Sequence, residues 1–280
     1  MSCTAIFGPV YSFFGGILKF FYDIFGNYGL AIIGFTLAVN IILLPLTWKQ
    51  QKSTTKMQSL QPELQRIQQK YKNDKEKLNM ETMKLYQDNN INPMSGCFPL
   101  LIQLPIIIIL YKVVYSPITY MFGVEKLAEL QKLYPGFTGP MAEVQLADKA
   151  SLINFKLLPN INLSEMPSYS HFNWLLLIPI LAGVTTYALT WLTTRQAEAR
   201  KTEQQKQKDK ENPAANSMQT MSKIMPLITV FFAFSFPAAI GFYWIMNNIF
   251  KMIQQIAVNK ILSKEDPLVV EQGGNKKKKK

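Results

Sequence analysis

Residues 29–48 read GLAIIGFTLAVNIILLPLTW, an almost uninterrupted apolar stretch. A helix of about 20 apolar residues covers the ~30 Å hydrocarbon core of a bilayer. A basic, Gln-rich run, KQQKSTTKMQSLQPELQRIQQKYK, follows at once over residues 49–72. Because clustered cations beside a span stay on the cytoplasmic side, the sequence predicts a membrane protein whose first span ends in the cytoplasm.

The composition is apolar, and its charge is concentrated in a few segments. The chain has 280 residues, is 48% hydrophobic and carries a formal net charge of +12. Such a positive excess suits a surface of anionic lipids or a nucleic acid equally well, so the composition leaves both partners open.

Four further apolar segments follow the first, and the charges of the loops assign their sides. The segments after the first and third spans and the C-terminal tail are rich in Lys, whereas acidic residues outnumber lysines over residues 117–171. The positive-inside rule then predicts five spans, an outside N-terminus and a cytoplasmic C-terminus. The predicted fold class is all-α, a polytopic five-helix transmembrane bundle with an N-terminal interfacial helix and a cytoplasmic helical hairpin.

The predicted segments follow one another without overlap. They are the extracytoplasmic N-terminal interfacial helix 1–28, the first span 29–48, the cytoplasmic coiled hairpin 49–92, the second span 93–116, the extracytoplasmic loop 117–171, the third span 172–192, the cytoplasmic basic loop 193–223, the fourth span 224–236, the fifth span 238–262 and the basic cytoplasmic tail 263–280. In the N-terminal segment, Pro9 and the Gly15-Gly16 pair weaken a spanning helix, so an interfacial helix is preferred. The alternative is a sixth span, which would place the N-terminus in the cytoplasm.

The first basic segment carries apolar residues three and four apart, a spacing that predicts a helical seam. The seam breaks at Asn73-Asp74 and then resumes. Its members are Met57, Leu60, Leu64, Ile67, Tyr71, Leu78, Thr82 and Leu85. We predict two antiparallel helices whose cationic outer faces dock another protein or anionic headgroups; a solvated linker is the alternative. The cations expected there are Lys56, Arg66, Lys70, Lys72, Lys75 and Lys77.

Polar side chains inside the predicted spans are the candidate functional residues, because lipid disfavours them by several kcal/mol unless they face protein or water. The candidates for a hydrophilic groove are Asn40, Gln103, Tyr111, Lys112, Asn247, Lys251, Gln254 and Gln255. The last four of these form one stripe on a helix, because they are four, seven and eight residues apart. No acidic residue lies in any predicted span, so a wet cavity is the expected environment of Lys251.

Each of these polar residues also has a purely structural interpretation. Asn, Gln and Thr commonly form hydrogen bonds between membrane helices, and this interpretation is preferred for Thr185, Thr186 and Thr190. Lys112 lies close enough to the outer surface to extend its amine into the interface.

Three strings carry a family likeness. LLPLTWKQQKSTTKMQSLQPELQRIQQKY at 43–71, NPMSGCFPLLIQLPI at 92–106 and GFYWIMNNIFKMIQQ at 241–255 resemble the YidC/Oxa1/Alb3 membrane protein insertases, most closely the short forms of Gram-positive bacteria. The resemblance implies a bundle that encloses a hydrophilic groove, open to cytoplasm and lipid, through which hydrophobic segments of nascent proteins enter the bilayer. It also implies a multi-pass protein of the bacterial plasma membrane.

The resemblance further implies the partners. Nascent membrane proteins are the clients, the hairpin recruits substrates or targeting factors, and a basic tail can touch the ribosome. Signal recognition machinery, a Sec translocon and anionic lipids are further candidate partners, and no small-molecule substrate is expected. The tail residues are Lys276, Lys277, Lys278, Lys279 and Lys280, and they suit ribosomal RNA or acidic lipid equally well.

One position departs from the family pattern. Bacterial members usually carry an arginine in the first span, four or five residues before the Leu-Pro-Leu motif, and this chain has Asn40 there. A neutral amide holds water but does not attract an acidic substrate tail. Our hypothesis is that Lys251 supplies the positive charge of the groove, with Lys112 as the second candidate.

The motifs of catalysis are missing from the sequence. It has no GxxxxGK[ST] phosphate loop, and His171 is its one histidine, so we expect no enzymatic activity, no cofactor and no metal. The chief rival function is a solute transporter or channel, which the odd number of spans and the lack of acidic coupling residues disfavour. A structural scaffold or assembly chaperone is the second rival.

Overall fold

The structure, a computed structural model, describes residues 3–89, 108–109, 111–139, 141–168, 173–199 and 213–265. It is mostly helical, as the sequence predicts, and one small two-stranded sheet is present in these ranges. The chain divides into two compact units. The first comprises Met1–Ile42, Leu104–Leu189 and Met221–Lys251, and the second comprises Leu43–Gln103, Thr190–Thr220 and Met252–Lys280.

The first unit begins with two packed helices, α1 (Cys3–Phe25) and α2 (Tyr28–Ile42). Gly34 of α2 lies against the ring of Phe21, so the two helices approach closely where α2 has no side chain. The predicted N-terminal helix is present and runs unbroken through Pro9. Its orientation on or in a membrane stays a prediction.

The stretch predicted as the first span is divided into two helices. α2 ends at Ile42, and α3 (Leu44–Ser59) begins after a break at Leu43. Pro45 explains the break, because it lacks the N–H that would bond to the carbonyl four residues before it, and its ring clashes with that carbonyl.

In the second unit, α4 (Gln61–Lys70) and α5 (Lys75–Asp88) contact each other across a short turn. The turn ends at Asp74, whose side chain accepts a hydrogen bond from the backbone N–H of Lys77 at 3.0 Å and so caps α5. The break lies where Asn73-Asp74 predicts it. The seam residues with described side chains are all half-buried: Leu60, Leu64, Ile67, Tyr71, Leu78, Thr82 and Leu85.

The segment 117–168, predicted only as a loop, has regular structure of its own. It contains a π-helical turn (Ile118–Phe122), α6 (Val124–Leu133), α7 (Ala142–Lys149), β1 (Lys156–Leu158) and β2 (Ile161–Asn162). The strands pair antiparallel, with Lys156 opposite Asn162.

A carboxylate fixes the start of this segment. Glu143 of α7 accepts hydrogen bonds from the backbone N–H of Thr119 at 2.8 Å and from its hydroxyl at 2.9 Å. Burial raises the pKa of the neighbouring Tyr120 hydroxyl, and the charges of Tyr11 and Glu143 add to the rise.

Three long helices complete the described chain. A 3-10 turn (Trp174–Leu176) leads into α8 (Leu177–Ala199), and α9 (Pro213–Phe234) and α10 (Ala238–Glu265) follow. The predicted fourth span, 224–236, is the apolar end of α9, and the predicted second span lies mostly outside the described residues.

Within the described chain, one helical stretch, Trp174–Gln196, is by itself long and apolar enough to cross a membrane. Tyr28–Ile42 and Leu44–Ser53 meet the same criteria when taken as a pair across the break. The outward face of α8 is apolar as well. It exposes Leu177, Ile180, Leu181, Val184, Tyr187 and Trp191, the surface that a helix in contact with lipid presents.

Candidate functional site

The first unit brings two of the predicted groove residues together. The Asn40 amide donates to the Thr36 carbonyl at 2.8 Å and to Oδ1 of Asn247 at 3.3 Å. Asn247 is buried and Asn40 is half-buried. A hydrogen bond between two amides therefore joins α2 to α10.

The next residue of α10 bonds to a different helix. Asn248 is buried, and its amide donates to the Thr186 hydroxyl at 2.9 Å and to the Thr185 hydroxyl at 3.2 Å. Thr185 and Thr186 thus form the interhelical hydrogen bonds that their sequence predicts, while this interpretation of Thr190 stays a prediction. Each hydroxyl in turn donates to a carbonyl of its own helix.

Lys251 lies one helical turn beyond Asn247 on the same face of α10 and is half-buried. Tyr111 and Lys112 are half-buried too, in a helical stretch at 111–115. The Tyr111 ring stacks on Tyr115 with a centroid distance of 4.7 Å and meets the edge of Phe236 at 5.5 Å. Tyr111 therefore belongs to an aromatic cluster. Gln103, another of the predicted groove residues, lies outside the described residues.

The second unit contains the other two members of the stripe. The Gln254 amide donates to the Thr47 hydroxyl of α3. The Gln255 amide donates to Oε1 of Gln196 at 2.9 Å and so bonds to α8. Both glutamines are half-buried, and each contributes a helix–helix contact.

Two of these partners were not among the residues singled out from the sequence. Thr47 follows the Leu-Pro-Leu motif, and Gln196 lies beyond the predicted end of the third span. The long polar side chains at regular spacing on α10 were a visible signal, but nothing in the sequence indicates which hydroxyl or amide on another helix meets them.

The predicted recruitment cations lie in or beside the hairpin helices. Arg66, Lys70, Lys72, Lys75 and Lys77 are exposed, whereas the side chain of Lys56 and the tail residues Lys276 to Lys280 lie outside the described set. Lys70 extends over the Tyr71 ring at 5.1 Å, and Lys77 pairs with Asp74 at 3.5 Å. The remaining cations present a positive surface.

The arrangement suits hydrogen bonding. Within the described ranges, no group of three or more His, Cys, Asp or Glu side chains could hold a metal ion. Amides, hydroxyls and one lysine can solvate a polar group in an apolar setting.

Buried amide and hydroxyl hydrogen bonds join helices in the described chain, and one described helical stretch is by itself long and apolar enough to cross a membrane, features that are typical of helical membrane proteins. Comparison with known proteins narrows the class. Residues 20–265 match the model of the family described as 60Kd inner membrane protein. The chain belongs to this family, which is the YidC/Oxa1 family, so the resemblance noted in its sequence is confirmed.

Individual relatives give the same result. A Campylobacter jejuni protein named membrane protein insertase YidC is 32% identical over 263 residues, 94% of this chain and 39% of the relative. Proteins of the same name from Rickettsia conorii and Geobacter sulfurreducens are 33% and 32% identical over 87% and 88% of this chain, and these matches cover 37% and 36% of the relatives. The chain thus spans less than two fifths of the length of these relatives. The narrower assignment to short Gram-positive forms stays a prediction.

Proposed function

We propose that this protein is a membrane protein insertase, which moves hydrophobic segments of nascent proteins into the bilayer. The observation that carries the proposal is the Asn40–Asn247 hydrogen bond, a polar contact between apolar helices in a chain of the YidC/Oxa1 family. The relatives' name, membrane protein insertase YidC, supports the same activity. The assignment is to a non-catalytic function.

The proposed site is a hydrophilic groove centred on Asn40, Asn247 and Lys251. Moving a polar segment through hydrocarbon costs many kcal/mol when no partner is present. Side-chain amides and the water they hold shorten the distance that the polar segment must cross in hydrocarbon. The apolar part of the client then gains roughly 25 cal/mol per Å² when it reaches lipid, so no fuel is required.

Lys251 supplies the positive charge of this groove. It is half-buried and lies on the α10 face that carries Asn247, so a lysine takes the role that the resemblance gives to an arginine at the position of Asn40. Lys112, also half-buried, is the second candidate. The amine attracts an acidic flank of the client toward the amides.

The wider organisation is proposed with the same function. Five spans form the bundle in the bacterial plasma membrane, the N-terminus lies outside and the C-terminus lies in the cytoplasm. The exposed cations of the α4–α5 hairpin recruit clients or targeting factors, including the ribosome, the signal recognition machinery and a Sec translocon. The basic tail binds ribosomal RNA or anionic lipid.

Reconstitution of the purified protein into liposomes tests the function. We expect a single-span test protein to become protease-protected and alkali-resistant in these vesicles, and not in empty vesicles or in vesicles with an unrelated membrane protein. Solute flux without insertion would instead show a transporter or channel. Client binding without insertion would show a scaffold, and either result would contradict the proposal.

A further inference from the structure

We propose that residues Asn154–Glu165, here called the strap, position α2 against α10 and so hold Asn40 next to Asn247. The inference deepens the proposed function and rests on it for its role in insertion. The strap lies wholly in the first unit, in the segment for which the sequence offered no role.

At the α2 end, the strap meets the first turn of the helix. The backbone N–H of Tyr28 donates to the Asn154 carbonyl at 2.9 Å, and the Asn27 amide donates to the Lys156 carbonyl at 2.8 Å. The rings of Tyr28 and Phe155 pack edge to face with centroids 4.7 Å apart, and both are fully buried. Gly29 lies against the Leu157 side chain, where a Cβ would collide.

Tyr22 of α1 secures the same end of the strap. Its hydroxyl accepts a hydrogen bond from the backbone N–H of Asn154 at 2.9 Å and donates to the Leu152 carbonyl at 3.4 Å. The strap therefore contacts both helices that flank the 26–27 turn.

At the α10 end, the strap accepts the first hydrogen bonds of the helix. The backbone N–H of Ala238 donates to the Glu165 carbonyl at 2.9 Å, and that of Ala239 donates to the Leu163 carbonyl at 3.0 Å. The first N–H groups of a helix have no partner inside it, so the strap carbonyls satisfy two of them in a buried place.

Internal bonds stiffen the strap between its two ends. The backbone N–H of Leu163 donates to the Phe155 carbonyl at 3.0 Å, next to the β1–β2 pair. The Asp148 carboxylate of α7 accepts from the Asn162 amide at 3.1 Å and from the Ser164 hydroxyl at 3.0 Å. One short, internally bonded element thus binds α2 and α10 together at their first residues.

The amide pair lies farther along the same two helices. Asn40 is about 18 Å along α2 from Tyr28, and Asn247 is about 14 Å along α10 from Ala238, at 1.5 Å per residue. Because helices are stiff over such lengths, fixing the first residues of α2 and α10 determines which of their faces meet at Asn40 and Asn247. The pair can then separate from the far end, which is the cytoplasmic end in the proposed topology, while the strapped end stays closed.

Thiol crosslinking tests the strap in the full-length protein in membranes. Two reporter pairs are made in a background with Cys3 and Cys97 replaced by Ser: Asn40→Cys with Asn247→Cys, across α2 and α10, and Thr186→Cys with Asn248→Cys, across α8 and α10. Each pair is combined with Phe155→Ala, which removes the ring on Tyr28, or with Ala238→Pro, which removes the N–H bonded to Glu165. Proline is tolerated in the first turn of a helix, so this change spares α10 itself. The matched controls are Phe155→Leu, which keeps a large apolar side chain at residue 155, and Ala238→Val, which is similar in size to the proline but keeps the N–H bonded to Glu165.

We expect at least one strap variant to lower the yield of the first pair about threefold with a short bifunctional thiol reagent, while the second pair and both controls keep their yields. The proposal is overturned if neither variant lowers the crosslinking yield of the first pair. It is also overturned if, in every variant that lowers the first yield, the yield of the second pair falls as well, because such a fall indicates a general loss of packing. Failure of the unmodified protein to insert any client would overturn the proposed function alone and would leave the crosslinking result standing.

Discussion

Two adjacent amides on α10 bond to two different helices. Asn247 accepts from Asn40 of α2, and Asn248 donates to Thr185 and Thr186 of α8. Consecutive residues point about 100° apart around a helix, so the two bonds fix the rotation of α10 between its neighbours. The spacing of polar residues along the sequence identified the face of α10 that carries Asn247. Their partners were not predictable, because they depend on which helices pack together.

The charge at residue 251 is the first prediction. We expect Lys251→Ala to reduce the insertion of a client with an acidic flank about fivefold, which is about 1 kcal/mol, because the attraction to that flank is lost. Lys251→Arg should retain insertion, Lys112→Ala should have a smaller effect, and a client with a neutral flank should be unaffected. Liposome insertion of the paired clients measures these values. Full activity of Lys251→Ala together with failure of Asn40→Ala would refute the role of the lysine.

The second prediction concerns how much the hydrogen bond between Asn248 and Thr186 contributes to stability. A double-mutant cycle with Asn248→Leu and Thr186→Val should give a coupling free energy of about 0.6 kcal/mol, the average for hydrogen bonds between membrane helices. Reversible unfolding in mixed micelles measures the four free energies of unfolding. As the control pair, Asn248→Leu with Thr229→Val should be additive, since the Thr229 hydroxyl donates to the Met225 carbonyl of its own helix. Additivity in the first cycle would show that this bond contributes nothing to stability.

At the scale of helices, small residues allow close packing. Gly183 of α8 lies against the Val230 side chain of α9, and Gly241 of α10 lies against Ile178 at 2.7 Å from where a Cβ would stand. Such glycines are typical of membrane helix contacts. Gly15 in α1 has the same explanation, because it lies against the backbone of Tyr120, so a glycine that weakens the helix by propensity is needed for its packing.

A pair of alanine substitutions tests this packing. Gly183→Ala should lower the thermal unfolding temperature in detergent, because its Cβ would overlap a methyl group of Val230, a β-branched side chain with few alternative rotamers in a helix. Gly16→Ala should raise it, since no atom lies within 4 Å of the added methyl and alanine favours a helix by about 1 kcal/mol. Equal effects of the two changes would contradict the close contact of α8 with α9.

The helix break at Leu43 shows where local signals compete. Pro45 is visible in the sequence, yet the apolar length of residues 29–48 predicts a single span. The Thr47 hydroxyl donates to the carbonyls of Leu43 and Leu44 at 3.1 and 3.0 Å, and the backbone N–H of Thr47 donates to the Leu43 carbonyl at 2.9 Å, so these bonds hold the first turn of α3. The apolar length of the segment was predictable and its division was not.

For the whole molecule, the sequence predicted the class and the family, while the contacts between distant segments came only from the structure. Hydrophobic runs and loop charges are local, so they can be read residue by residue. The strap joins Asn154 to Tyr28 and Glu165 to Ala238 by backbone bonds, which leave no trace in residue type. For this reason residues 117–171 were predicted as a loop.

The central claim is that a client segment passes beside Asn40. Site-specific photocrosslinking in liposomes tests it most directly, with a photoreactive residue in place of Asn40 or, as the control, in place of Leu30, an exposed apolar residue near the start of the same helix. We predict that a client arrested during insertion forms an adduct from position 40 in clear excess over position 30, and that the adduct disappears when insertion is complete. A client that inserts fully without an adduct from position 40 would contradict the account.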